Sequence, residues 1–260
     1  MVTEDTKKKI RQYVLDLGVD DVGFANVNDY SSPRSPKIES IFPQARSMVV
    51  MAFKEPSNCE SSSSAIAMGG RLDLMEFTRS CNYKVTRFLE KEFHIKSMSV
   101  PVSYPLDMSS KTGGLIGEVS LRHAALAAGL GAFGRHNLII HPRLGTRVIY
   151  SAILNELDLP SDPQVTGDLC IDCDICVESC PAGALNEEGK THLMKCLRNS
   201  QPHGLGGDIS FWRKFVDSTP EVQKKMFLTE EYMRNYQAQL IGFQYFCFNC
   251  YTSCPLGNDL

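Results

Sequence analysis

Cys170-Ile171-Asp172-Cys173-Asp174-Ile175-Cys176-Val177-Glu178-Ser179-Cys180-Pro181 spaces four cysteines as C-x2-C-x2-C-x3-C and closes on proline. Two-residue spacers aim three thiolates into one concavity, as three neighbouring irons of a 4Fe-4S cubane require. The fourth cysteine, at the start of the next segment, points elsewhere and serves a second cluster. An echo stands at Cys247, Cys250, Cys254 and Pro255, which reads C-x2-C-x3-C-P and is one cysteine short. Cys196 can supply the missing thiolate. A crossed arrangement then assigns Cys170, Cys173, Cys176 and Cys254 to one cluster, and Cys180, Cys196, Cys247 and Cys250 to the other. The alternative is a pair of four-thiolate zinc sites, but zinc usually draws on separated CxxC pairs rather than a CxxCxxC run closed by Cys-Pro.

The rest of the composition is ordinary. The chain has 260 residues, 43% of them hydrophobic, enough for one large or two small domains without staples. Lys and Arg number 27 against 30 Asp and Glu, and a net charge of -3 makes nucleic acid an unlikely partner. No apolar run approaches the roughly 20 residues of a membrane span, and the N-terminal segment is broken by charge, unlike a signal peptide. A cytoplasmic protein without membrane contact is expected, and in that reducing compartment dense cysteine means metal chemistry rather than disulfides. Eight of the 10 cysteines lie after residue 169; Cys59 and Cys81 fall outside both sets and read as free thiols.

Ahead of the cysteines, the pattern is mixed α and β. Helical spacing predicts helices over 4–17 and 72–93, and strands are expected at 21–25, 47–53 and 98–102. Residues 28–37, the serines at 61–64 and the polar stretch 105–114 read as loops. A helix over 118–130 carries Ala124, Ala125, Ala127 and Ala128, small enough for another backbone or a flat ligand to approach, and Gly129, Gly131 and Gly134 break it. Strands at 137–140 and 146–154 flank a turn at His141, Pro142 and Gly145. His123 is a candidate cofactor or proton-transfer residue and equally a hydrogen-bonded structural histidine. Pro160 and Pro163 bracket a linker, giving an expected division into 1–163 and 164–260.

Residues 121–135, LRHAALAAGLGAFGR, then HNLIIHPRLGTRVIYSAILNELDL and the cysteine run, resemble the epoxyqueuosine reductase family, and FPQARSMVV at 42–50 matches its first core strand. Reductive dehalogenases are similar in layout. The resemblance implies an α+β protein: a flavin-reductase-like mixed α/β domain that binds a corrinoid, followed by a bacterial two-cluster ferredoxin-like domain. It also implies an external donor of ferredoxin or flavodoxin type. Electrons would pass through the Cys180/Cys247 cluster and the Cys170/Cys254 cluster to cobalamin, whose cobalt carries the hard chemistry. A flavin is the less favoured occupant. By the same resemblance Ala128, Gly129, Gly131, Gly134 and Arg135 line the cofactor, with Asn137, Ile140 and Tyr150 at its rim.

The chain departs from the family where a proton donor is expected. The family's Asp-x-Ala-Pro is replaced by Leu115-Ile116-Gly117-Glu118, leaving Glu118 as the substitute catalytic acid or as an ordinary first-turn carboxylate. The expected function is therefore an iron-sulfur, cobalamin-dependent oxidoreductase acting on a small molecule or a corrinoid. The alternative is a non-catalytic electron carrier whose N-terminal domain docks a partner.

Overall fold

The computed structural model describes residues 4–102 and 116–257. The expected loop at 105–114 lies outside them. Four strands form an antiparallel sheet in the order β1 (Asp21–Asn26), β2 (Ser47–Lys54), β6 (Val148–Asn155), β3 (Ser97–Ser99). The two inner strands are buried along nearly their whole length, because both faces of the sheet are covered. Alternation divides them. Met48, Val50, Ala52, Ala152 and Leu154 face one core with Ala124, Ala125, Ala127 and Ala128. Val49, Met51, Phe53, Ile149 and Ile153 face the other, with Ile10 and Val14 of α1 (Glu4–Asp16) and Leu74, Val85 and Leu89 of α3 (Ser64–Phe93).

Helix α3 begins eight residues before the expected start. The serine tract read as loop ends in a cap: the Ser63 side chain accepts from the Ile66 N–H, satisfying a free first-turn donor. A single turn, α2 (Ile38–Ile41), precedes β2. Helix α4 (Leu121–Ala127) is shorter than the expected 118–130, since Ser120 occupies the N-cap position and Gly129 ends it at φ +70. The short strands β4 (Ala132–Phe133) and β5 (Ile139–Ile140) pair with each other, so the expected strand at 137–140 joins a separate hairpin instead of the main sheet. The turn between β5 and β6 is present, with His141 and Gly145 bridged.

The small residues of α4 admit backbone. A Cβ on Gly23 of β1 would stand 2.2 Å from the Ala128 carbonyl oxygen, so strand and helix end meet only because Gly23 has no side chain. The proline-flanked segment after β6 is anchored. Asp162 accepts from Lys7, from Arg11 at 2.7 Å and from the Phe24 N–H at 3.1 Å, while its own N–H donates to the Phe24 carbonyl.

Beyond it lie α5 (Ile175–Glu178), then α6 (Leu193–Ser200), α7 (Leu205–Val216), α8 (Pro220–Met226) and α9 (Glu230–Leu240), and last the single turn α10 (Asn249–Thr252). The two Cys-Pro echoes meet where α5 packs on α10. There the Ser179 and Ser253 hydroxyls, each one residue before a Cys-Pro, are 2.9 Å apart.

Candidate functional site

Asp172 and Asp174 adopt left-handed φ angles of 49° and 54°, winding the cysteine loop tightly before α5. Cys170, Cys173 and Cys176 thereby line one small cavity, and Cys254, arriving just after α10, lines it with them. Arg135 and His136 from the segment after β4 complete its wall. The Arg135 N–H donates to the Cys170 sulfur at 3.4 Å, and its guanidinium pairs with Asp174 at 3.2 Å. Burial raises the Cys176 and Cys254 thiol pKa values, and neighbouring thiols of the same group add to it.

The other four cysteines also gather. Burial, then Cys247, Cys196 and Cys180, pushes the Cys250 thiol up to about 12, and Cys196 is raised by burial with further contributions from Cys247 and Cys180. The Ala184 N–H donates to the Cys180 sulfur at 3.3 Å. Four mutually close thiols resist ionising together unless a cation compensates them, and this is how a metal site couples to folding. Among the described residues no three His, Cys, Asp or Glu side chains converge on a single-ion position.

The thiol groups are fastened to the sheet through α10. Tyr251 donates to the Glu55 carboxylate at 2.7 Å and accepts from Arg71 of α3 at 2.9 Å; Arg71 also pairs directly with Glu55. The Arg71 guanidinium lies over the rings of Tyr245, Phe248 and Tyr251 at 5.2–5.9 Å from their centroids. Arg147 donates to the carbonyls of Thr252 and Cys254 at 2.8 and 3.2 Å. Gly145, at φ +61, would carry its Cβ 1.9 Å from the Leu256 carbonyl oxygen, so this close approach also needs glycine.

A cleft of about 760 Å³ opens beside α4. Glu118, Ser120, Arg122 and His123 border it, as do Gly134 and Asn137, with Arg34 and Lys190 contributed from other segments. The Ser120 hydroxyl is 2.8 Å from His123 Nδ1; burial, and then Arg122, depresses the His123 pKa. Burial lowers the Arg122 pKa, and Arg34 nearby lowers it further. Asn137, at φ 60, reaches the Thr191 hydroxyl at 3.3 Å.

Of the residues expected at a cofactor, Glu118, Gly134 and Asn137 therefore meet in the cleft, while Arg135 stands on the thiol side. Ala128, Gly129, Gly131 and Ile140 are packed into protein: Cβ atoms on the two glycines would come within 2.2 Å of the Pro163 and Ile140 carbonyl oxygens. Tyr150 is buried in β6, its hydroxyl without a partner among the described residues. Cys59 and Cys81 are both buried, Cys59 against Phe248 and Tyr251. His136 and the Glu55–Arg71–Tyr251 network escaped the sequence reading, because their partners lie from 16 to about 200 residues away.

The 4Fe-4S binding domain model matches residues 163–186. The chain is similar to the epoxyqueuosine reductase of Staphylococcus aureus, 26% identical over 97% of this chain and 65% of the relative. It is also similar to that of Bacillus subtilis, 24% identical over 96% and 63%. It thus spans somewhat under two thirds of these relatives' length. A crystal structure of epoxyqueuosine reductase with an epoxyqueuosine-modified tRNA-Tyr stem loop shares the fold at TM-score 0.62 and 19% identity, covering 97% of this chain and 65% of that one. A structure titled for B12-dependent reductive dehalogenation matches at TM-score 0.53 and 20% identity, over 67% of this chain and 24% of that one. Among the described residues no helix is long and apolar enough to cross a membrane.

Proposed function

From a chain that resembles epoxyqueuosine reductases along nearly its whole length, we propose an iron-sulfur reductase that delivers electrons through two 4Fe-4S clusters to a corrinoid in the cleft. The cluster nearer the cleft is held by Cys170, Cys173, Cys176 and Cys254, and the other by Cys180, Cys196, Cys247 and Cys250. The observation that carries this reading is the four-residue wall 134–137. Arg135 and His136 line the thiol cavity, and Gly134 and Asn137 line the cleft, so one thickness of chain separates the two.

The residues suit the groups they would hold. Each thiol set has a backbone N–H already directed at a sulfur, the kind of bond that tunes such clusters. The 4Fe-4S match over the first run favours clusters over zinc. The cleft has the volume of a cofactor site and walls of mixed polarity. A bound corrinoid supplies the reductive chemistry at cobalt. The chain's own part is to orient it, with Asn137 offering a side-chain amide at the cleft wall, and to bring Glu118 to the cleft as proton donor. The division into a cofactor domain over 1–163 and a ferredoxin-like domain over 164–260 belongs to the same proposal.

The expectation that nucleic acid is an unlikely partner is withdrawn, because a relative of this fold is bound to a tRNA stem loop. Net charge averages the whole surface, whereas the cleft sets Arg34, Arg122 and Lys190 against Glu118. Epoxyqueuosine in tRNA is thus the first substrate to try, ahead of a small molecule or a corrinoid.

The test is anaerobic reconstitution followed by cobalamin titration and turnover on an epoxyqueuosine-modified stem loop. Iron and sulfide for two cubanes, a visible spectral change on corrinoid binding, and turnover support the reading. Stoichiometric zinc in colourless protein would end it, and clusters without corrinoid binding would leave the electron carrier. If Glu118→Gln turns over at the unaltered rate, Glu118 is not the donor.

A further inference from the structure

His136 is 4% exposed and lines the cavity shared by Cys170, Cys173, Cys176 and Cys254. Its Nδ1 accepts from the Leu138 N–H at 3.1 Å. A nitrogen that accepts carries no proton, so in the neutral ring the proton is on Nε2. That Nε2 is buried and has no hydrogen-bond partner among the described residues. Buried donors without partners are rare in folded proteins and call for an explanation. The packing holds the ring in place, since a Cβ on Gly134 would lie 2.7 Å from His136 Cε1 and glycine leaves the room it needs.

We propose that His136 donates an Nε2–H hydrogen bond to a sulfur of the cluster held by these four cysteines, and so raises that cluster's reduction potential. The inference rests on the reading of the four thiols as cluster ligands. A reduced cluster carries one more negative charge than an oxidised one, so a donor at its sulfur favours the reduced form. The Arg135 N–H to Cys170 acts in the same sense from the adjacent residue. His136 is a positioning residue of the electron path: it touches no substrate, and it makes the cluster beside the cleft an easier place for the electron to rest. It sits on the wall between cluster and cleft, so its effect falls on one cluster only.

The experiment compares reconstituted full-length wild type, His136→Leu and His136→Gln by redox titration followed by electron paramagnetic resonance. Iron and sulfide analysis of the wild type comes first; a wild type without two cubanes overturns the cluster reading itself, separately from the role of His136. With clusters in place, His136→Leu should lower the reduction equilibrium constant of one cluster about tenfold, the order of one charge-assisted hydrogen bond, or about 59 mV for one electron. The other cluster should titrate unchanged, and His136→Gln, which keeps an N–H donor, should restore most of the loss. Wild-type potentials in His136→Leu would overturn the proposal. If His136→Leu fails to hold its cluster, pulsed resonance on reduced wild type labelled with 15N-histidine decides. A 15N coupling present in wild type and absent in His136→Gln supports the bond; no coupling in wild type overturns it.

Discussion

Replacing Arg71 with methionine should be among the most damaging single changes in the molecule. The Glu55 side chain is fully buried and Arg71 is 18% exposed; one carboxylate oxygen of Glu55 serves both Arg71 and Tyr251, and the other has no partner among the described residues. Burial opposes the guanidinium's charge, but Tyr251 and Glu55 outweigh it and hold Arg71 charged; burial, with Glu55 adding, keeps Tyr251 protonated. Methionine fills similar volume but leaves the carboxylate's charge uncompensated. Breaking such a buried pair costs about 3–5 kcal/mol, or roughly 6–20 °C in melting temperature for a chain of this size. An exposed pair such as Lys9–Glu92 contributes at most about 1 kcal/mol. The check is thermal and denaturant unfolding of the reconstituted protein, with Glu55→Gln added to Arg71→Met. The double variant should recover much of the loss, because the stranded charge is gone. A single variant that loses less than about 1 kcal/mol, or a double variant no better than the single, would refute the account.

Cys254→Ser should remove the cluster assigned to Cys170, Cys173 and Cys176 while sparing the other, halving the iron; full iron content would show the crossed assignment to be wrong. Gly129→Ala places a Cβ at φ +70 and 2.2 Å from the Pro163 carbonyl oxygen, so it should cost more than about 1 kcal/mol of stability. Normal melting with loss of corrinoid binding alone would instead make Gly129 a cofactor contact. Burial, and then Glu55, pushes the Cys59 thiol from 9.0 to about 11. Cys59 should therefore resist alkylation at pH 8, as read by mass spectrometry; labelling at the rate of a free thiol would contradict its burial. The sign for stability follows from a raised folded-state pKa: the thiol's contribution is complete below about pH 9 and is lost as pH rises through about 11.

The readable parts of this chain were those whose meaning is local. The apolar runs of β2 and β6 and the spacing of the first cysteine motif declare themselves within a dozen residues. The alanines of α4 do not, since small side chains look the same against a ligand as against Gly23, about a hundred residues earlier. Pro160 and Pro163 mark a break in regular structure correctly, yet Asp162 between them is held by Lys7 and Arg11, which no local pattern reveals. His136 was illegible for the same reason: its importance comes from Cys170 and Cys254, brought to it by the fold.

The division of Cys247, Cys250 and Cys254 between the two thiol groups bears on the order of events at the ribosome. When Cys170, Cys173 and Cys176 emerge, the sheet they will rest on has already been synthesised, yet their fourth partner is still some eighty codons away. Cys180 and Cys196 wait about fifty to seventy codons for Cys247 and Cys250. The second group is complete only once residue 250 is made and the first only once residue 254 is, so iron-sulfur delivery would be a late step, performed on a chain whose sheet strands have all been synthesised. Tyr251, between the last two of these cysteines, binds Glu55 and Arg71, so closing the thiol groups and sealing α10 onto the sheet would be one event.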